Sequence, residues 1–231
     1  MSLNYYQLRN ALRYVIRKTW QPLLSKYLSK ERRYSYKNIH LLIPPEVFHP
    51  GFFFSTRFLF NYLKHYSLHQ KTFLELGAGS GLISIYAAKK GANVTATDIN
   101  PIAIQHLHRN SHANHVSLRI IESDLFKNIP EEKFDFIAIN PPYYRKNPVT
   151  PEDYAWYCGE NGEYFSGLFS GLKKYIHNNS TVLMVLFDGC DLKMIHEMAK
   201  ENRFDLTCVH SRQNLIEKTF IYKIDMVTPG H

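Results

Sequence analysis

The chain has 231 residues, 45% of them apolar, with 28 Lys and Arg against 20 Asp and Glu, a net charge of +8. That length suits one large domain or a domain with an extension, and no apolar run approaches the ~20 residues of a membrane span. Cys158, Cys190 and Cys208 lie far apart and form no C-x-x-C, which excludes a disulfide framework and a zinc knuckle. The first six residues lack the basic-then-apolar plan of a secretory signal, so a reducing cytoplasm and no membrane association are expected.

The charge is uneven. Residues 1–46 hold nine basic side chains against Glu31 and Glu46, a net +7. A polyanionic partner such as RNA would explain this excess; so would a solvated basic face. Residues 3–33 read as mostly helical, with Leu8, Leu12, Val15, Ile16 and Trp20 on one stripe and Arg9, Arg13 and Arg17 on another. Residues 34–43 alternate loosely and read as one strand, ended by Pro44-Pro45. Phe52-Phe53-Phe54 follow a Pro-Gly turn. They form either an aromatic lid beside a ligand or a plug below the sheet. Residues 58–66 look helical.

The most informative stretch is Thr72 to Leu82, with Glu75 at the end of a short apolar strand and Gly77, Gly79 and Gly81 opening a helix. The glycines allow a sharp turn and close approach by a ligand, and the helix start offers free backbone N–H groups. The dinucleotide pattern fails because Leu82 and Ser84 stand where glycine is needed, and no Gly-Lys-Ser/Thr follows for a phosphate loop. A carboxylate at Glu75 would repel a pyrophosphate but suits a cationic or amine-bearing ligand.

Strands and helices then alternate. Strands are expected at 93–98, 117–121, 134–139 and 181–186, with helices opening at Pro101 behind Asn100 as N-cap and spanning 163–175 and 192–201. The last two strands, 204–209 and 219–224, have no helix between them and should pair antiparallel. The fold class is therefore α/β: a doubly wound, seven-stranded, mostly parallel sheet with an antiparallel final pair. A ligand would lie at the carboxyl ends of its strands. Glu75, Asp98 and Asp124 all stand at such ends. Asp98 is placed to accept from a ligand diol and Asp124 from a ligand amine. A lone strand-end Asp more often caps a helix or forms a turn.

The fourth of these strands ends in Asn140-Pro141-Pro142-Tyr143. Two prolines hold the backbone extended without N–H groups, so the loop presents carbonyl acceptors. The Asn140 side-chain oxygen and the Pro141 carbonyl can together accept both hydrogens of one NH₂ group, and Tyr143 offers a ring for stacking. That arrangement suits transfer to an amide or aryl amine, whose lone pair is delocalised until its hydrogens are held. His108 and His112 stand one helical turn apart at metal-ligand spacing, but an exposed helix is the simpler reading.

Glu75 through Gly81 with Asn140 through Tyr143 resembles the Asn-Pro-Pro-Tyr subgroup of class I S-adenosylmethionine (SAM) methyltransferases, over roughly residues 40–225. It is most similar to HemK-type glutamine N5-methyltransferases that modify release factors. The resemblance implies a Rossmann-like methyltransferase fold with SAM as cofactor. It implies cofactor contacts at Glu75, Gly77, Ala78, Gly79, Gly81, Asp98, Ile99, Ser123, Asp124, Leu125, Asn140 and Thr56, and a catalytic loop of Asn140, Pro141, Pro142 and Tyr143. Further matches are Val47-Phe48-His49-Pro50 through Thr56, which resembles the segment leading onto the cofactor, Asn161-Gly162, and Ser211-Arg212-Gln213 with Glu217. HemK-type enzymes carry a longer helical N-terminal domain. Here a basic extension, residues 1–45, would precede a methyltransferase domain, residues 46–231. The expected substrate is a glutamine in a release-factor-like protein. The alternatives are an exocyclic nitrogen of RNA or DNA, or a non-catalytic subunit that binds SAM or RNA.

Overall fold

The computed structural model describes residues 27–52, 54–214 and 217–227. The expected Arg9, Arg13 and Arg17 stripe and Phe53 lie outside them. Arg32 and Arg33, read with the helical segment, instead begin a hairpin. Strands β1 (Arg32–Tyr36) and β2 (Ile39–Ile43) pair antiparallel, with Tyr36 opposite Ile39. The single strand expected over 34–43 is thus two strands. Lys37, at φ 55°, makes the turn between them. Their inward sides, Tyr34 and Tyr36, then Ile39, Leu41 and Ile43, keep a loose alternation across that turn and hid it.

Helix α1 (Phe54–Leu63) leads to β3 (Thr72–Leu76), α2 (Leu82–Lys89), β4 (Asn93–Asp98), α3 (Pro101–Ala113), β5 (Arg119–Glu122) and β6 (Phe134–Ile139). Then come α4 (Glu163–Leu172), β7 (Ile176–Phe187), α5 (Leu192–Glu201), β8 (Phe204–Gln213) and β9 (Lys218–Met226). The expected helix over 163–175 is α4 finished by a tight 3-10 turn at Lys173–Tyr175. The strand order is β5-β4-β3-β6-β7-β9-β8; β9 runs antiparallel between β7 and β8, and the other pairings are parallel.

Both faces of the sheet are covered, as a parallel sheet requires. Leu74, Leu76, Ile137 and Ile139 pack under Phe165, Leu168 and Phe169 of α4 and Ile195 of α5. Phe73, Phe136 and Leu183 pack on the other face against Leu59 and Leu63 of α1, Ile83 of α2 and the hairpin's Ile39 and Leu41. Each fully buried Leu or Phe contributes roughly 1.5–3 kcal/mol, so these two layers hold β3 and β6 rigidly side by side. The chain leaves β3 toward β4 on one side and returns to β6 on the other. That makes the carboxyl ends of β3 and β6 the switch point where such sheets open a crevice.

Candidate functional site

A cavity of about 1010 Å³ opens over the carboxyl ends of β3, β4 and β6. It is at the upper end of the size range of ligand pockets. Glu75, Gly77, Ala78, Gly79, Asp98 and Ile99 line one part, Ser123, Asp124 and Leu125 another, and Thr56 with Asn140 to Tyr143 a third. Gly81 does not reach the cavity. It caps α2 at φ 87°, and a Cβ there would stand 2.7 Å from Leu107. Its role is therefore the turn. Gly81→Ala is expected to lower stability by about 1–3 kcal/mol through left-handed strain, read as a shift of the urea midpoint.

Gly77 behaves differently. It sits at φ 71°, and a Cβ on it would meet no protein atom within 4 Å. Its backbone is open to the cavity, the cradle that a closely approaching ligand needs. The loop is fixed from β4. Asp98 Oδ2 accepts from the Gly79 N–H at 2.8 Å and Oδ1 from the Asn100 N–H at 2.9 Å. Each oxygen keeps a further lone pair for a ligand hydroxyl. Burial raises the Asp98 pKa while these N–H groups oppose it.

Glu75 forms the floor. It is 4% exposed, and its Oε2 accepts from the Ser84 N–H at 2.7 Å and from the Ser84 hydroxyl. Burial pushes its pKa up to about 8, against the Ser84 hydrogen bonds and with help from the charge of Asp98. Ser123 is occupied in its own turn, donating to Leu125 O at 2.9 Å and accepting from Asn128 N–H at 3.0 Å. Asp124 Oδ2 pairs with Lys127 at 2.6 Å.

At the end of β6, Asn140 Nδ2 donates to Thr56 Oγ1 at 3.1 Å, and Asn140 Oδ1 accepts from the Tyr143 hydroxyl. The amide is therefore held from both sides. Pro141 and Pro142 are buried beside it. The Tyr143 and Tyr144 N–H groups both donate to Trp156 O, at 3.0 and 2.8 Å, and pin the turn. Tyr143, expected to offer its ring for stacking, lines the cavity but is nearly buried. The ring is 8% exposed and lies edge-on to Phe187 at 5.0 Å, so its hydroxyl is the part that reaches Asn140. Burial holds that phenol well above its ordinary pKa, so it stays a proton donor and cannot act as a base near neutral pH.

The aromatic lid is not Phe52 or Phe54. Phe52 is 46% exposed against Tyr27 and His49, and Phe54 stacks on Phe58. Phe48 lines the cavity instead, and its ring meets Trp156 at 5.1 Å. Tyr164 of α4 also lines it, its pKa raised by burial and then by the charges of Asp98 and Asp124. Phe48 falls in the segment, Val47-Phe48-His49-Pro50 through Thr56, that resembles the lead onto the cofactor, and it does line the cavity; sequence reading missed Tyr164, to which the adjacent Asn161-Gly162 was the one available pointer. Gly162 caps α4, and Ser211 to Gln213 end β8 away from the cavity. His108 and His112 are exposed on α3.

The model of the methyltransferase small domain family matches residues 38–155. The chain belongs to that family. A Methanocaldococcus jannaschii protein provisionally named an N5-glutamine methyltransferase is 43% identical over 108 residues, 46% of this chain and 52% of that one. A tRNA1(Val) (adenine(37)-N6)-methyltransferase of a Flavobacteriaceae bacterium is 37% identical over 83 residues, 34% of this chain and 36% of that one. The chain thus spans about half the length, or less, of these curated relatives. Among solved structures, a Pyrococcus furiosus methyltransferase superposes with TM-score 0.63 at 18% identity, covering 92% of this chain and 100% of that one. The E. cuniculi Mtq2–Trm112 complex gives 0.60 at 21%, covering 78% and 99%. These likenesses show the seven-stranded methyltransferase fold. S-adenosylmethionine is the cofactor, and the residues present fit it: Gly77 leaves an open cradle, the Glu75 carboxyl would face its cationic end and Asp98, beside the loop, would accept from its ribose.

Proposed function

We propose that this protein moves a methyl group from SAM to a planar nitrogen, with the side-chain amide of a glutamine in a protein as first choice. The observation that carries this is the Asn140 amide, hydrogen-bonded to Thr56 and Tyr143 next to two prolines that carry no N–H. With one lone pair of Oδ1 taken by Tyr143, the other is left for a substrate N–H. The Pro141 carbonyl would take the second hydrogen. Held so, the nitrogen loses conjugation and its lone pair is aimed for in-line attack. SAM, when bound, supplies the electrophilic methyl on its sulfonium. The proton leaves the nitrogen after the N–C bond has formed, so no strong base is required, in keeping with a Tyr143 that remains protonated.

Thr56 is then a positioning residue. Thr56→Val is expected to lower kcat about tenfold, equivalent to one hydrogen bond of roughly 1.4 kcal/mol, and Thr56→Ser to restore it. Steady-state kcat and KM check this; an unchanged kcat would remove Thr56 from the catalytic arrangement.

The second reading is an exocyclic nitrogen of a nucleic-acid base, favoured by the net +7 of residues 1–46 and by the tRNA-modifying relative. In either reading residues 46–231 form the transferase domain, on which the hairpin of residues 32–43 packs through Ile39 and Leu41. Incubation with tritiated SAM and cell extract, followed by separate protease and nuclease digestion, tests it. Label released by protease supports the glutamine reading, and label released by nuclease the base reading. Binding of SAM with no label transferred to either would leave a non-catalytic subunit.

A further inference from the structure

Three asparagines at the start, middle and end of α3 are nearly sealed from solvent: Asn100 at 6% exposure, Asn110 at 2% and Asn114 at 3%. Asn100 caps the helix, accepting from the Ile102 N–H at 2.9 Å. The other two bind the free edge of β2 as a neighbouring strand would. Leu42 N–H donates to Asn110 Oδ1 at 2.8 Å, and Asn110 Nδ2 donates back to Leu42 O at 3.1 Å. His40 N–H donates to Asn114 Oδ1 at 3.0 Å, and Asn114 Nδ2 donates back to His40 O at 2.6 Å.

Asn110 does one thing more. Its Nδ2 also donates to Ser80 O at 2.9 Å, within the glycine loop. One buried amide therefore ties together α3, the hairpin and the cofactor loop, with its acceptor and both donors in use. Past the hairpin the chain passes Pro44-Pro45 to Glu46, whose carbonyl accepts from Asn100 Nδ2 at 3.0 Å. Val47 and Phe48 follow and line the cavity, Val47 lying 3.6 Å from where a Gly79 Cβ would stand. Leu42 itself does not line the cavity.

We propose that Asn110 is a positioning residue that makes the seating of the hairpin and the geometry of the cofactor loop a single equilibrium. Occupying the loop then tightens β2, and a substrate that docks on the hairpin tightens the loop by the same factor. The inference rests on the cofactor assignment and is independent of which nitrogen is methylated.

The test is amide exchange of the whole chain with and without S-adenosylhomocysteine, alongside calorimetry of that ligand. In the native protein, binding is expected to slow exchange at His40 and Leu42 as well as in the glycine loop. Asn110→Ala should weaken S-adenosylhomocysteine about tenfold or more and abolish the slowing at Leu42. Asn114→Ala, which touches the hairpin but not Ser80, should speed exchange at His40 and leave affinity within about twofold, a coupling below the allosteric range. Unchanged exchange at Leu42 in the native protein would overturn the proposal without any variant having to fold. So would slowing at Leu42 that survives Asn110→Ala, because the signal would then travel through residues 46–50. Failure of the native protein to bind S-adenosylhomocysteine at all would sink both this inference and the cofactor assignment.

Discussion

Replacing Asn140 by alanine is expected to reduce methyl transfer roughly 1000-fold, the scale on which a single preorganised polar group acts in a catalytic site. S-adenosylhomocysteine affinity should stay within a few fold, because the glycine loop, Asp98 and Glu75 are untouched. The variant also leaves the buried Tyr143 hydroxyl and Thr56 Oγ1 without their partner, a loss of about 1–3 kcal/mol in stability for each unsatisfied group. Melting curves are therefore needed beside single-turnover rates. Tyr143→Phe removes only the bond that orients Oδ1 and should fall roughly tenfold in rate, the weight of one ordinary hydrogen bond. If Asn140→Ala loses its cofactor affinity instead, Asn140 is a structural link between β6 and α1 and the catalytic reading fails.

The second large effect concerns protons. Glu75, ordinarily at 4.5, is pushed up to about 8 in the ligand-free protein by burial, with Ser84 opposing and Asp98 assisting. A raised carboxyl favours the folded state while neutral, so its contribution is complete below about pH 4.5 and is lost as pH rises through about 8. A cationic ligand reverses the preference by stabilising the carboxylate. S-adenosylhomocysteine and SAM both carry an ammonium, so their binding should expel a proton below pH 8. Affinity is then expected to climb between about pH 6 and 8 by up to tenfold per unit. Calorimetry in buffers of different ionisation heat reads the proton directly. Glu75→Gln should flatten the profile. Asp98→Asn separates the share of the neighbouring carboxyl, whose pKa burial also raises. A flat profile in the native protein would show that Glu75 is already ionised or does not feel the ligand.

Much of this protein was legible before any coordinates. β4 at 93–98, β6 at 134–139 and α5 at 192–201 fall where the sequence pattern puts them, since Asp98 with Asn100, and Asn140 with Pro141, punctuate the chain sharply. The hairpin turn at Lys37 was not legible, because neither glycine nor proline marks it. Which aromatic faces the cavity was hard to read for a similar reason. Three consecutive phenylalanines look conspicuous in one dimension, whereas Phe48 reaches the cavity through the path of the chain out of β2.

The sequence alone determined the alternation that makes a doubly wound sheet, the glycine spacing that rejects a dinucleotide, and the proline pair that strips donors from one turn. These are local consequences of backbone sterics and hydrogen-bonding capacity. Tertiary structure alone decided which groups meet. Thr56 lies 84 positions from Asn140, and Asn110 lies 68 from Leu42 and 30 from Ser80. A hydrogen bond acts over about 3 Å, and only the packing of helices on the sheet brings such distant residues that close.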